Sequence, residues 1–410
     1  MKNYLIIIFT IFLISCNSEN KDNQLSTKDS LIVITPQEQH IMDSVRKSNE
    51  LIELINSYDI YPKIHYTQII LKTKSIKDSI YSIYGYSKKN LKRNKVFITL
   101  NRKESRYIRV GDTVIVPDTI ISDKRAYSIF PQYFPKASHL NRLILVSNYY
   151  QCWAAFENGK QVYFAAANTG KERTPTYPGR YALVFKQKTR LSSTDSSWRM
   201  NYYYNFHPYA GMAFHEYEMP GYPASHACVR QFRSDAKWLY NWGKGVKVKD
   251  KKTVFLSGTP VVILGVPNYD RKRGGPWVDL ISNKDSLLKL DFDPMQIEEA
   301  RIPLSQIFAD AQDWVPNRKY YLHSEDTLRA RGVIREHVKL IESVNINKLK
   351  REKKAKALKD SINKINTIKK ELIPQNDKNK TDLETIKQNL ELLEQKKIKL
   401  KINKDSSEKR

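Results

Sequence analysis

The chain has 410 residues, with 70 Lys and Arg against 43 Asp and Glu, a formal net charge of +27. Apolar residues at 40% and aromatics at 11% exclude a wholly disordered chain, and only 3 Cys exclude a disulfide scaffold. The length fits two or three domains with ample chain for a core. The charge asks for an anionic partner, whether nucleic acid, a membrane surface or an acidic polymer.

Residues 1–15 read as a signal peptide. Lys2 gives a positive start, and residues 4–14 are an apolar run of 11, too short to span a bilayer. The run ends in Leu13-Ile14-Ser15-Cys16, which resembles a bacterial lipobox. The resemblance implies cleavage before Cys16, lipidation of Cys16, and stable anchoring to a membrane. Asn17 follows rather than Asp. By analogy with proteobacterial sorting, this implies the cell envelope, at the outer membrane, with the facing of the domain, periplasm or outside, left open by the residues. No later stretch reaches the ~18 apolar residues of a spanning helix. Export argues against nucleic acid as the partner and leaves anionic wall polymer or lipid head groups.

Residues 16–60 read as a polar tether followed by a short helix. Residues 61–120 change character, with a turn at Tyr84-Gly85-Tyr86-Ser87 and a closing run Ile108-Arg109-Val110-Gly111-Asp112-Thr113-Val114-Ile115-Val116-Pro117. That run loosely resembles the end of a LysM glycan-binding module. The opening half of the module is poorly matched, and a small cap packed on the next domain is the alternative.

Residues 140–266 are dominated by β patterning. Residues 143–146 are a buried-strand run. Residues 152–156 and 161–166 flank Asn158-Gly159, the signature of a type I′ hairpin turn. A helix is expected with Ser234 as N-cap, Asp235 in its first turn, and Gly243 and Gly245 as the stop. Residues 267–340 follow a joint at Arg273-Gly274-Gly275-Pro276 and read as a mixed helical extension. Residues 341–410 hold 20 Lys and Arg against 11 Asp and Glu, with apolar residues near helical spacing from Ile346 to Leu372. Thr381 and Glu384 form a capping box for a second helix, giving a basic hairpin or coiled-coil-like arm. The expected fold is a mainly β domain of sandwich or barrel type with short helices. It carries a small α+β segment before it and a helical extension after it.

Chemistry concentrates in Phe214-His215-Glu216-Tyr217 and Gly221-Tyr222-Pro223-Ala224-Ser225-His226-Ala227-Cys228-Val229-Arg230. A thiol nucleophile needs a base and a lowered pKa. The His and Arg around Cys228 are expected to favour its thiolate. Cys152 lies in an alternating strand and reads as a small buried thiol. The 8 His show no metal-ligand spacing.

Ser225-His226-Ala227-Cys228-Val229-Arg230, with His215 upstream, resembles the signature of the L,D-transpeptidase catalytic domain, the YkuD-like family. Gly170, Thr174-Pro175, Gly179-Arg180-Tyr181 and Gly258-Thr259-Pro260-Val261-Val262-Ile263 resemble its other blocks. The resemblance implies Cys228 as nucleophile and His215 as general base, oriented by the backbone carbonyl of Glu216. His226 would tune the thiol or hold its loop, with the choice of base between the two His left open. Amides near Ala227 and Cys228 would hold the oxyanion. Ser225 and Arg230 would bind substrate, or brace the loop. Ala227 departs from the family's Gly and is expected to strain the loop if φ is positive there.

The implied activity is transfer of a peptidoglycan stem peptide, without a cofactor or metal. The acceptor would be a second stem peptide or a lipoprotein. Water as acceptor would make the chain an L,D-carboxypeptidase. A lipid-anchored, non-catalytic wall-binding protein is the alternative from another class. A papain-like hydrolase is disfavoured, because both His closely precede the Cys.

Overall fold

The computed structural model describes residues 36–193, 195, 197–246, 248–249, 252–253, 257–277, 279–285, 288–313, 315–343, 346–372 and 388. The expected signal segment, Cys16, the tether to residue 35 and, but for Gln388, the second helix of the arm lie outside the described residues.

The chain divides after Leu54 into two units. The described part of the first belongs to helix α1 (Pro36–Ser57), whose opening proline suits the first helical position. At 22 residues it is longer than the short helix expected. Arg46 pairs with Asp43 at 3.2 Å along its surface.

The second unit opens with a cap. Strands β1 (Tyr66–Ile70) and β2 (Thr113–Pro117) pair antiparallel. Helices α2 (Lys74–Tyr84) and α3 (Leu91–Asn101) lie between them in sequence. The Thr73 hydroxyl caps α2 by accepting from the Ile76 N–H at 3.3 Å. The Asn101 amide fastens α3 to β2, donating to Ile115 O at 2.9 Å and accepting from Ile115 N at 2.8 Å. Leu71, Ile80, Phe97, Ile108 and Val114 form a small core inside the cap. Tyr66, Val96, Leu100 and Ile115 instead join Phe130, Leu143, Leu145 and Phe164. The segment therefore packs as a cap on the sheet that follows.

That sheet has five strands: β3 (Leu143–Ser147), β4 (Cys152–Glu157), β5 (Lys160–Ala166), β6 (Gly179–Ala182) and, much later in the chain, β13 (Pro260–Leu264). Their order is β5-β4-β3-β13-β6, with β13 parallel to β3. Asn158 and Gly159 turn the β4–β5 hairpin at φ of +47° and +79°. Successive side chains on a strand face opposite ways. Leu143 and Leu145 accordingly enter the core under the cap, while Ile144 and Val146 enter a second core. Burial on both faces explains the unbroken apolar run.

The second core lies against a four-stranded sheet of β7 (Lys186–Leu191), β8 (Arg199–His207), β9 (Met212–Glu216) and β10 (Val229–Gln231), ordered β10-β9-β8-β7. It contributes Tyr204, Phe206, Phe214 and Val229. Each such fully buried side chain contributes roughly 1.5–3 kcal/mol. Both sheets are mixed, since β10 runs parallel to β9. A short hairpin, β11 (Val248–Lys249) with β12 (Lys252–Thr253), lies between β10 and β13 in sequence.

Helix α4 (Arg233–Trp242) starts earlier than expected. Phe232, with ψ of 151°, is the N-cap, and Ser234 falls inside the first turn. Asp235 does more than favour the helix start: it accepts from Tyr163 Oη at 2.8 Å and from Lys124.

Residues 267–340, expected as a mixed helical extension, are helical only in short pieces. Their described helices are a 3-10 turn at Leu304–Gln306, α5 (Arg318–Leu322) and α6 (Ser324–Ala330). Their apolar residues serve as single anchors rather than as a helix face. Leu280 enters the core under the cap, while Ile302, Ile307, Leu328 and Val338 enter the core between the sheets. Helix α7 (Ile346–Leu372) then runs for 27 residues. No described helix is long and apolar enough to cross a membrane.

Candidate active site

Strands β9 and β10 bring the singled-out residues together. In their parallel pairing Arg230 stands opposite His215, and Val229 opposite Phe214. Paired residues share a face, and alternation carries Cys228, two before Arg230, to the same side. Cys228, His215, Arg230, Ser225, His226 and Ala227 all line one cleft of about 260 Å³. Cys152 is elsewhere, fully buried in the core under the cap, and both thiols are free.

The loop before β10 is held by residues 169–176. Ala224 and Ser225 N–H both donate to Thr169 O at 3.0 Å, and Lys171 N–H donates to Ser225 O at 3.0 Å. The Thr174 hydroxyl donates to Ser225 O and the Thr176 hydroxyl to Ala227 O, each at 3.1 Å. Ala227 sits at φ +67°, so the methyl group does occupy a left-handed position. Its N–H donates to Thr174 O at 3.1 Å. This corrects the oxyanion role expected of the Ala227 amide, because the left-handed turn aims it at Thr174. The Cys228 N–H has no acceptor among the described residues. Ser225 is buried, and its hydroxyl donates to Cys228 O, which braces the loop rather than reaching for a ligand.

His215 is buried, and its Nδ1 lies 2.9 Å from Glu216 O. A carbonyl only accepts, so Nδ1 carries the hydrogen and Nε2 keeps its lone pair. Burial pulls the His215 pKa down to about 4, opposed by the Glu216 bond and helped by Arg230. The Glu216 carboxylate is engaged separately, with Arg233 at 3.2 Å.

His226 lies differently. Its Nε2 is 2.9 Å from Lys171 Nζ, and its ring packs on Trp198 with centroids 5.1 Å apart. Burial, Lys171 and Arg230 together bring its pKa down to about 4.

Cys228 is half-buried and donates from Sγ to Gly211 O at 3.7 Å. Burial pushes its thiol up to about 11, although the Ala213 N–H, Arg230 and Arg190 pull the other way. The surrounding arginines favour the thiolate as expected, but burial is the larger effect. Desolvation exceeds their pull, and the resting pair is neutral thiol and neutral imidazole. The Arg230 guanidinium lies over the Tyr217 ring at 4.6 Å and donates to Glu218 O at 3.4 Å. Among the described residues no three His, Cys, Asp or Glu side chains gather as metal ligands would.

Several site residues carry no obvious mark in the sequence. Lys171 adjoins the Gly170 block but stands there as one lysine among many. Gly211, Arg190 and Trp198 come from the β7–β9 region, and Phe308 and Glu342 from far downstream. The Phe308 N–H donates to Tyr209 O at 2.9 Å, and its ring lies directly against Gly211, where any β-carbon would collide. Phe308 thus packs on the residue whose carbonyl holds the thiol.

Residues 141–263 match the family model YkuD, the L,D-transpeptidase catalytic domain. No curated protein matches the chain. Among solved structures, the chain is similar to an L,D-transpeptidase (Yku) from Stackebrandtia nassauensis, at 23% identity over 32% of this chain and 58% of that one, with a TM-score of 0.27. An L,D-transpeptidase from Xylanimonas cellulosilytica gives 25% identity over 30% and 60%, with a TM-score of 0.24. L,D-transpeptidase 1 from Mycobacterium tuberculosis gives 18% over 30% and 62%, with a TM-score of 0.24. The chain thus spans about three fifths of each of these structures. The YkuD match takes in β3, His215, His226 and Cys228, and ends within β13. The cap and everything after residue 263 lie outside it.

Proposed function

We propose that the chain is a peptidoglycan L,D-transpeptidase with Cys228 as nucleophile and His215 as base. One observation carries this reading: Cys228 and His215 share a face and a cleft, and Glu216 O holds the Nδ1 hydrogen so that Nε2 is open.

Sγ attacks the carbonyl between the L-centre of a stem-peptide diamino acid and its terminal D-Ala. The S–C bond forms as the thiol proton passes to His215 Nε2. The Cys228 N–H receives the oxyanion. The C–N bond then breaks, and D-Ala leaves with that proton on its amine. In the second half, an acceptor amine attacks the thioester and gives a proton to His215. The C–S bond breaks, and the sulfur takes the proton back. A stem-peptide acceptor gives a 3-3 crosslink, a lipoprotein side chain gives an anchored lipoprotein, and water gives trimming. Because the resting thiol is neutral, its proton leaves during the attack rather than before it. Arg230 and Arg190 suit the carboxylates of the donor. Lipidation of Cys16 would hold the enzyme at the outer membrane, on the periplasmic side, beside its substrate.

Incubation of purified sacculi with the mature protein, followed by muropeptide analysis, separates crosslinking, lipoprotein attachment and trimming. Cys228→Ala should abolish every product, and turnover retained in that variant would remove the proposal. The second reading, an anchored non-catalytic wall-binding protein, draws on the neutral thiol bonded to Gly211. It predicts no thioester adduct when the wild-type protein is weighed after incubation with a carbapenem.

A further inference from the structure

One wall of the cleft comes from beyond the matched domain: Ile302, Gln306 and Phe308, then Ile341, Glu342 and Ser343. Residues 341–343 form a fastened bridge. The Ile341 N–H donates to Arg173 O at 2.9 Å, and its carbonyl accepts from Gln306 Nε2 at 2.8 Å. The Ser343 N–H donates to Ser305 O at 2.8 Å. On one side the bridge thus holds the loop whose next residue, Thr174, accepts from Ala227. On the other it holds the turn at residues 304–306. Glu342 sits between two anchored neighbours, so its backbone is fixed in advance of any ligand. Its neighbours are half-buried, while Glu342 itself is exposed at the mouth.

The cleft's charges are also left open. The charged side chains lining it are Arg190, Arg230 and Glu342, apart from the histidines. Arg190 lies over the Tyr203 ring at 5.1 Å and donates to Gln187 Oε1 at 3.1 Å, and Arg230 lies over Tyr217. Among the described residues neither guanidinium meets a carboxylate, and the Glu342 carboxylate meets no cation. A cleft with two open guanidiniums and one open carboxylate fits contents that carry both charges.

We propose that Glu342 is a specificity residue for the acceptor, receiving the ammonium group of the incoming amine at the cleft mouth. The proposal rests on the transpeptidase reading and concerns binding alone. The donor half of the reaction brings carboxylates, which the arginines suit. The acceptor half requires an amine, and an alkylamine at neutral pH arrives as an ammonium ion. A carboxylate at the mouth of the cleft that holds the thioester raises the local concentration of that ion.

The test compares two acceptors on the same acyl-enzyme at neutral pH: Nα-acetyl-lysine amide, which is cationic, and hydroxylamine, which is uncharged. Glu342→Gln should raise the half-saturating concentration of the lysine acceptor about two- to five-fold, as for an exposed ion pair. It should move that of hydroxylamine far less, and Glu342→Lys should widen the gap. An equal change for both acceptors, or none for the lysine acceptor, overturns the proposal and leaves the transpeptidase reading standing. Failure of the wild-type protein to release D-Ala or to form a carbapenem adduct removes both.

Discussion

Lys171 Nζ lies 2.9 Å from His226 Nε2. An ammonium nitrogen has hydrogens to give and no lone pair, so Lys171 donates and Nε2 accepts. His226 is thereby held neutral with its hydrogen on Nδ1, an atom that is buried and has no partner among the described residues. His215 has the complementary arrangement, with its hydrogen committed to Glu216 O and its Nε2 lone pair available. The two histidines, alike in the sequence, thus differ in that His226 Nε2 is occupied by Lys171 while His215 Nε2 is free.

Lys171→Met removes a cation that depresses the His226 pKa. The pKa should rise from about 4, yet stay below 6.5, because burial is the larger cause and persists. Imidazole ¹⁵N shifts followed over about pH 3 to 8 report both the titration and the tautomer. Lys171→Arg should restore the wild-type tautomer. A His226 signal indifferent to both changes would show that the contact has no electrostatic consequence.

The thiol makes a second test. Burial raises the Cys228 pKa to about 11 from an ordinary 9.0. Alkylation by iodoacetamide, read by intact mass, should therefore be slow at neutral pH and still climbing above pH 9. Arg230→Met removes a favourable cation and should slow labelling further at any fixed pH. Cys152, fully buried and also raised to about 11, should stay unlabelled until the protein unfolds, which gives an internal control. A curve that levels off near neutral pH would instead reveal a thiolate–imidazolium pair.

Stability should depend on pH in a window set by the same groups. His207 and His215 titrate at about 3 and about 4 in the folded chain, against 6.5 when exposed, in both cases mainly because they are buried. Between those values the unfolded state binds more protons, so stability rises with pH across the window and is complete above it. Acidification from about 6.5 to 4 should lower the Tm progressively, with His215 alone contributing roughly 3 kcal/mol. The cysteines act with the opposite sign. Their folded pKa is raised, so their contribution is intact below about 9 and is lost as pH climbs toward 11. Calorimetry should show a plateau between these limits, and a Tm unchanged at pH 4 would contradict the assignment of buried neutral imidazoles.

The sequence carries local rules well and long-range closure poorly. The Asn158-Gly159 turn and the apolar run at residues 143–146 are set by neighbours in the chain, and the hairpin and doubly buried strand form accordingly. His215, His226 and Cys228 lie within 14 residues of one another, so their convergence needs only two adjacent strands. The cleft's outer wall is different. Phe308 and Glu342 reach the site because apolar residues scattered from Ile302 to Val338 anchor in the core between the sheets. No periodicity marks such single anchors, in a segment that reads from the sequence as a mixed helical extension. The Ala227 amide shows a third limit. Its place in the family's pattern suggests an oxyanion donor, but a positive φ turns the N–H toward Thr174.

That positive φ gives the last test. A left-handed conformation costs a residue with a β-carbon roughly 1–2 kcal/mol, and glycine escapes that cost while gaining freedom in the unfolded chain. Ala227 is nonetheless 9% exposed and joins the core between the sheets, so its methyl group offsets part of the strain. The balance for Ala227→Gly is a net gain of about 0.5–1 kcal/mol, read as a higher urea midpoint with an unchanged slope. The Thr174 hydrogen bond survives, because glycine keeps the N–H. Ala227→Val should do the opposite and destabilise by more than glycine gains, since a β-branched side chain tolerates this backbone least. If glycine destabilised the chain instead, the methyl group would be acting as core packing that outweighs the strain, and the loop before β10 would be held by burial rather than by its hydrogen bonds to residues 169–176.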